Sequence, residues 1–323
     1  MDPHDLSQLV EHLASDPALA SALRVAGSGR RVLARGAAGS STSFVAGALA
    51  RRAGKPVVLV VAHLDDADEA ADELASAGVP ALKFPAIEVL PGETGASLEL
   101  FGQRVGAVRR VLELLGPAGG AAAGAPVIVC PVQALMQGVP DPARLGLVTL
   151  ELRPGDARGP TAVIDWLAKA GYVRVDAVEE PGEFAVRGGI IDVFPPGGSA
   201  SAGGATVSVG VPVRLDFFGD ELERLSEIDT GTMGSDRRLD SVELVCMCPQ
   251  EAEGPEHPEE SSPSFLTLIP PDAVVVLSET SEIIEQARGY YERVSHHRSL
   301  FGPPEVFRLV QERFGAVVEI NQF

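Results

Sequence analysis

Short apolar runs alternate with amphipathic stretches over roughly the first 139 residues of the chain. Between Asp5 and Val25, apolar residues recur at helical spacing, which predicts one or two amphipathic helices. Beyond them, the predicted strands are Arg31–Ala34, Pro56–Val61, Ala81–Phe84 and Val127–Cys130, and the predicted helices are Ser41–Ala53, Asp65–Ala77 and Leu98–Leu115. Strands that alternate with helices are typical of a parallel sheet with right-handed crossovers. The sequence therefore predicts an α/β fold.

The pattern changes near Pro140, where strands become shorter and glycine turns more frequent. Predicted here are strands Leu147–Leu152, Val173–Val178, Phe184–Val186 and Ile190–Val193, a helix Thr161–Ala170, and a hairpin of Val213–Phe217 with Leu222–Ile228 across Gly219-Asp220. Strand and helix patterns return in Ala273–Leu277, Ser281–Val294 and Pro304–Phe314. We therefore predict a small α+β module set into the α/β fold, with residues 1–139 before it, 140–211 forming it and 212–323 after it.

Three segments rich in Gly, Ala, Ser, Pro or Glu interrupt these patterns: Pro117–Pro126, Gly197–Gly210 and Pro249–Pro263. Such compositions bury too little apolar surface to order themselves. We interpret all three as surface loops.

Composition narrows the classes of function. The chain has 26 Lys and Arg against 45 Asp and Glu, a net charge of −19, and 45% hydrophobic residues. This suits a globular protein but disfavours direct binding to a nucleic-acid backbone, which needs clustered cations. Three cysteines are too few for a disulfide framework. With neither a signal-peptide pattern nor an apolar run near ~20 residues, we expect a cytoplasmic protein without a membrane partner.

A glycine-containing loop after the first predicted strand is the strongest candidate for a ligand site. It runs Gly36-Ala37-Ala38-Gly39-Ser40-Ser41-Thr42-Ser43 and opens a predicted helix, where a phosphate-binding loop would lie. The Walker pattern needs G-x-x-x-x-G-K-[ST], but Ser41 replaces its second Gly and Thr42 replaces its Lys. We favour a degenerate loop, formed by Gly36, Gly39, Ser41, Thr42 and Ser43, that has lost its ligand; a weakened nucleotide site is the alternative. No cofactor is expected.

Other chemistry-bearing residues predict no catalytic or metal site. Asp65-Asp66-Ala67-Asp68-Glu69 follows a strand but continues into a helix, where carboxylates are ordinary partners of the helix dipole. Cys246-Met247-Cys248 lacks C-x₂-C spacing, and the adjacent His296-His297 cannot face one ligand from a helix. This chain is therefore not expected to be an enzyme.

The predicted module carries a specific resemblance. Residues 171–195 and 214–225 follow the pattern Y-x-R-x-D, G-x-F-x-V-R-G-x-x-I-D-I-F-P and L-F-x-x-E-x-E-R-L. The matching positions are Tyr172, Arg174, Asp176, Gly182, Phe184, Arg187, Gly188, Asp192, Phe194 and Pro195. The segment resembles the UvrB-interaction module shared by the excision-repair protein UvrB and the transcription-repair coupling factors (Mfd). The flanks Phe84–Pro91 and Val127–Met136 resemble the N-terminal region of the coupling factors.

The resemblance implies a degenerate RecA-like (P-loop NTPase-like) parallel sheet interrupted by a small α+β module that binds UvrA. It further implies a non-catalytic region that recruits UvrA to stalled RNA polymerase and restrains the motor part of the full protein. RNA polymerase and DNA would be contacted through C-terminal domains, where ATP and Mg²⁺ would also act. The alternative is a UvrB-like ATP-dependent repair helicase subunit.

Four residues carry the predicted UvrA contact: Arg187, Arg174, Gly188 and Glu183. Strand alternation places Arg187 on the face opposite Phe184, and a planar guanidinium is a favoured interface anchor. The alternative is that both arginines pair with Glu183 or Asp192 at the surface. Pro181 and Ala185 depart from the family pattern, which tends to carry Arg at both positions.

Overall fold

The computed structural model describes residues 3–36, 39–87, 98–116, 124–203, 205–208, 211–229, 231–232, 234–247, 262–294 and 300–322. The chain divides into two compact units. The first unit comprises Met1–Ala86, Val111–Gly138 and Ser262–Phe323, and the second comprises Ile87–Arg110 and Val139–Ser261. The second unit is thus inserted into the first.

The first unit is built on a parallel sheet with the strand order β1-β16-β15-β2-β4-β3 among the described residues. Its strands are β1 (Val32–Arg35), β2 (Val57–Val61), β3 (Ala81–Lys83), β4 (Val127–Pro131), β15 (Val274–Ser278) and β16 (Ala316–Asn321). The central strands β2 and β4 are buried at every position, as expected of β-branched runs covered on both faces. The predicted α/β fold with a parallel sheet is confirmed, whereas its RecA-like character stays a prediction.

Helices surround this sheet. They are α1 (Pro3–Ser15), α2 (Pro17–Ala26), α3 (Ser40–Ala53), α4 (Leu64–Ser76), the single turn α6 (Val132–Leu135), α8 (Thr280–Val294) and α9 (Pro303–Arg313). Helix α5 (Leu98–Leu115) has its last residues in this unit and the rest in the second. Small residues of α3 allow close packing: Ala46, Ala48 and Ala50 are fully buried in the core. The predicted helices agree with the observed ones to within one or two residues.

The second unit contains two further sheets. A four-stranded antiparallel sheet has the order β10-β9-β14-β5, and a six-stranded sheet has the order β13-β12-β11-β8-β7-β6. The strands are β5 (Thr149–Leu152), β6 (Val173–Arg174), β7 (Glu183–Arg187), β8 (Ile190–Phe194), β9 (Gly198–Ala202), β10 (Ala205–Ser208), β11 (Val213–Phe218), β12 (Glu221–Asp229), β13 (Gly234–Leu239) and β14 (Ser241–Val245); the helix is α7 (Pro160–Lys169). We call the six-stranded sheet the module sheet.

The module extends further along the chain than predicted. The boundary at residue 211 is wrong, because β11 pairs with β8 and β14 pairs with β5 and β9. These hydrogen bonds keep β11 and β14 in the inserted unit. The predicted hairpin across Gly219-Asp220 is confirmed as β11 and β12.

Two other expectations need correction. The predicted loop Gly197–Gly210 contains the strands β9 and β10, which pair with each other while β9 also pairs with β14. Residues 198–202 are all small, so their sequence has no alternating apolar pattern that would predict a strand. The predicted strand Val173–Val178 is only the two residues of β6. Most of the predicted loops 117–126 and 249–263 lies outside the described residues.

Candidate docking surface and the cleft beside the glycine loop

The turn between β7 and β8 fixes one end of the module sheet. Gly188 takes a left-handed φ of 63°, which a glycine adopts without steric cost. The Phe217 N–H donates to the Gly189 carbonyl at 2.8 Å, and a Cβ at Gly189 would lie 2.7 Å from the Phe217 oxygen. The β7–β8 turn is therefore held directly against β11, and both glycines are required.

Arg187 ends β7 beside this turn and is exposed. One guanidinium nitrogen donates to the Asp176 carbonyl at 2.8 Å. The two carboxylates considered as alternative partners are occupied elsewhere: Glu183 accepts the N–H groups of Glu179 and Glu180, and Asp192 pairs with another arginine. Among the described residues, the alternative pairing of Arg187 with Glu183 or Asp192 is therefore not found, and the exposed guanidinium has further N–H groups that a partner could engage.

Arg174 does not extend this patch. The register pairs Arg174 with Phe184 and Val173 with Glu183, and residues directly opposite one another share a face of the sheet. Arg174 therefore lies on the face of Phe184, away from Arg187. The exposed Val173, instead of Arg174, lies on the same face of the sheet as Arg187. Sequence spacing alone could not fix this register, because the two-residue β6 has no alternating pattern to read.

The Glu183 side chain binds the backbone of the loop that precedes β7. Its carboxylate accepts two backbone N–H groups, from Glu179 at 2.8 Å and Glu180 at 3.0 Å. These bonds shape the loop that leads into β7 and leave the carboxylate a structural role.

Phe218 is a surface residue that sequence reasoning missed. It ends β11 at the tip of the hairpin, opposite Glu221, and 81% of its surface is exposed. The available signal was the Phe217-Phe218 pair just before the Gly219-Asp220 turn, since only one of two successive strand residues can face the core. Arg187, Gly188 and Phe218 thus lie at adjoining strand ends, and we call these three residues the docking end.

A buried ion pair supports the sheet behind the docking end. Asp192 on β8 is 2% exposed and accepts two hydrogen bonds from Arg214 on β11, at 2.7 and 2.8 Å. The hydrogen bond to Asp192 raises the pKa of the Arg214 guanidinium above its usual value. Such a bidentate pair fixes the two strands in register.

In the first unit, the glycine loop reaches the carboxyl ends of the parallel strands. The Gly36 N–H donates to the Asn321 carbonyl at 3.0 Å, and Gly39 precedes the first residue of α3. Thr42 and Ser43 are buried and Ser41 is exposed. Residues 37 and 38 of the predicted loop lie outside the described residues.

Next to this loop is a cleft of about 380 Å³. Besides Gly39, Thr42 and Ser43, its lining includes five acidic side chains: Asp66, Glu69, Glu73, Glu279 and Glu282. A polyphosphate would meet this negative charge without the Walker lysine that normally offsets it. We call it the acidic cleft.

The remaining candidates form no site that the structure describes. Asp65 and Asp66 lie in the first turn of α4, and Asp68 pairs with Lys83. Cys246 is buried, while Cys248, His296 and His297 lie outside the described residues. Among the residues described, no group of three His, Cys, Asp or Glu side chains could hold a metal ion. No described helix has the length and apolarity to cross a membrane.

The family model of the UvrB interaction domain matches residues 150–250. These residues lie within the inserted unit and include the docking end. The transcription-repair-coupling factor of Mycobacterium tuberculosis is 33% identical over 253 residues, covering 76% of this chain and 19% of that protein. The chain belongs with the N-terminal regions of transcription-repair-coupling factors.

Two further matches cover shorter parts of the chain. The transcription-repair-coupling factor of Escherichia coli is 36% identical over 123 residues, 38% of this chain and 10% of that protein. The UvrABC system protein B of Caldanaerobacter subterraneus is 34% identical over 106 residues, 33% of this chain and 14% of that protein. The chain spans about a fifth of the length of the mycobacterial coupling factor. Resemblance to a DNA-repair coupling factor therefore extends well beyond the module shared with UvrABC system protein B.

Proposed function

We propose that this chain is the UvrA-docking region of a transcription-repair coupling factor and that the docking end contacts UvrA. The observation that carries the proposal is the exposed Arg187 guanidinium in a module of the UvrB interaction family. It is held by the Asp176 carbonyl, while the carboxylates nearest in sequence are engaged elsewhere.

The chemistry of the docking end suits protein recognition. One hydrogen bond to a backbone carbonyl restricts the Arg187 side chain, which lowers the entropy lost when a partner binds. Its remaining N–H groups form a planar fork that can bind a carboxylate of UvrA in a bidentate manner. Phe218 adds an exposed aromatic surface on the adjoining hairpin. Arginine and aromatic residues are enriched among the side chains that dominate binding energy.

The proposal includes no catalytic role for this chain. Thr42 stands where a Walker loop has its lysine, and the cleft beside it is lined by carboxylates. Phosphoryl transfer depends on positive groups that stabilise the developing charge. A UvrB-like ATP-dependent activity and a bound ATP cofactor are accordingly disfavoured for these residues.

Within a full-length coupling factor, this region would recruit UvrA to stalled RNA polymerase in the cytoplasm. Motor and polymerase-binding domains elsewhere in such a protein would contact DNA and RNA polymerase. We further propose that the region restrains the motor, because an exposed docking surface can be covered by another domain until UvrA displaces it.

A calorimetric titration of UvrA with variants of this chain tests the proposal. Arg187→Ala should weaken binding at least about ten-fold, since truncating a dominant interface side chain costs about 2 kcal/mol or more. Arg174→Ala is the matched control, because that arginine is also exposed but lies on the other face of the module sheet. Equal losses from both substitutions, or none from Arg187→Ala, would contradict the proposed contact.

A further inference from the structure

One cross-strand row of the module sheet begins at Arg187, beside the docking end. The register pairs Arg187 on β7 with Ile190 on β8, Ile190 with Asp216 on β11, and Asp216 with Arg224 on β12. Residues that are paired directly across strands share a face of the sheet, so all four side chains lie on the face opposite Phe184. We call Arg187, Ile190, Asp216 and Arg224 the arginine row.

Arg224 is held at the far end of this row by one hydrogen bond. Its Nε donates to an Asp216 carboxylate oxygen at 3.1 Å, and this is the one ion pair that Arg224 forms with the described residues. The Arg224 side chain is 57% exposed, whereas that of Asp216 is 18% exposed. Asp216 therefore restricts the guanidinium, while the two terminal nitrogens of Arg224 face the solvent.

Arg187 has the same arrangement at the near end of the row. One of its nitrogens donates to the Asp176 carbonyl at 2.8 Å, and the side chain is exposed. A hydrogen bond that already restricts such a side chain lowers the entropy lost when a partner binds. The half-buried Ile190 lies between the two arginines. Three strand spacings place the Cα atoms of Arg187 and Arg224 about 14 Å apart.

The surroundings of the arginine row are of mixed charge. Asp220 and Glu221 are exposed at the tip of the β11–β12 hairpin, and the whole chain has a net charge of −19. General attraction of an acidic partner to this face is therefore weak. Recognition depends instead on acceptor groups placed to meet each guanidinium, and such complementarity provides specificity more than raw affinity.

We propose that Arg224 is a second anchor for UvrA, so that the contact extends from the docking end along the arginine row. This inference rests on the function proposed above. It assigns to UvrA two carboxylates about 14 Å apart, one for Arg187 and one for Arg224, with an apolar side chain between them that packs on Ile190. The planar fork of each guanidinium suits a bidentate contact with a carboxylate.

Calorimetric titration of UvrA with the full chain tests this second anchor. Arg224→Ala should weaken binding about five-fold, the upper range for one exposed ion pair. Arg224→Lys should weaken binding as well, because an ammonium group keeps the charge but lacks the planar fork. The double variant of Arg187→Ala with Arg224→Ala should show the product of the two single losses, since the effects of mutations more than ~10 Å apart usually add in free energy.

Arg237→Ala is the matched control. The Arg237 side chain is 49% exposed and pairs with Glu227, which at 18% is as exposed as Asp216. Glu227 is paired across strands with the fully buried Val213, so this ion pair belongs to the other face of the sheet. Both substitutions remove an exposed pair, so the Arg224→Ala and Arg237→Ala variants should melt at equal temperatures, and only the first should bind UvrA more weakly.

Arg187→Ala, measured in the same series, separates this inference from the proposed function. A loss with Arg187→Ala, together with equal binding by the Arg224→Ala and Arg237→Ala variants, would overturn the second anchor and leave the docking end in place. A loss with Arg224→Ala alone would overturn the row as a single contact and also the proposed role of Arg187. Unchanged binding by both the Arg187→Ala and the Arg224→Ala variants would contradict the inference and the proposed function together.

Discussion

At the scale of single residues, the neighbours of Arg187 decide its role. Alternation along Phe184–Arg187 was enough to predict which face of the strand Arg187 occupies. Its partner could not be predicted, because the Asp176 carbonyl comes from a loop eleven residues away in sequence. The acids that stood close in sequence proved to be engaged by backbone amides and by Arg214. Local spacing therefore predicts a direction but not a contact.

The Asp192–Arg214 pair leads to a stability prediction. Asp192→Ala should lower the free energy of unfolding by about 3 kcal/mol, because removing one member of a buried pair leaves the other without compensation. Urea unfolding monitored by circular dichroism measures this change. The control is Glu227→Ala, whose partner Arg237 is about half exposed, so that the loss should stay below about 1 kcal/mol. Equal losses in the two variants would show that the buried pair contributes no special stability.

At the scale of elements, patterns with strong periodicity were predictable and short or glycine-rich ones were not. The buried runs β2 and β4 and the long helix α5 appeared where the sequence placed them. Strand β9 did not, because its residues are small and its pairing depends on β14, some forty residues downstream. Composition described the side chains of this segment correctly but carried no information on the backbone partner.

Gly198 at the start of β9 allows a direct test of that pairing. Its φ is 121°, and a Cβ there would approach the Glu243 carbonyl oxygen on β14 to 2.2 Å. Gly198→Ala should therefore destabilise the chain by more than about 1 kcal/mol. Gly146→Ala, at a position with nothing within 4 Å of the added Cβ, should change stability by less than about 0.5 kcal/mol. Thermal unfolding of the two variants compares them, and a neutral Gly198→Ala would refute the assignment of residues 198–202 to this sheet.

At the scale of the whole molecule, the sequence predicted an α/β fold with an insertion but placed the end of the insertion too early. The sequence pattern changes near Pro140 to shorter strands and more glycine turns. This position agrees with the start of the second segment of the inserted unit at Val139. The predicted return of the chain to the α/β fold at residue 212 is wrong, because antiparallel pairing places β11 and β14 in the inserted unit. The family match to residues 150–250 extends across this misplaced boundary.

The acidity of the chain also takes on a more specific meaning. As a total, the net charge of −19 only disfavoured direct binding of the chain to nucleic acid. In the structure, five of these carboxylates line the acidic cleft beside the glycine loop. The docking end, by contrast, presents an arginine and an aromatic side chain. The proposed protein-binding surface thus presents a cationic anchor on a chain that is acidic as a whole.

The central claim is that UvrA binds at the docking end, and amide hydrogen exchange of the chain with and without UvrA tests it most directly. We expect slower exchange on complex formation in residues 175–190 and 214–222, which surround Arg187, Gly188 and Phe218, with little change in the parallel sheet of the first unit. Protection confined to that parallel sheet, or unchanged exchange at the docking end under saturating UvrA, would contradict the account.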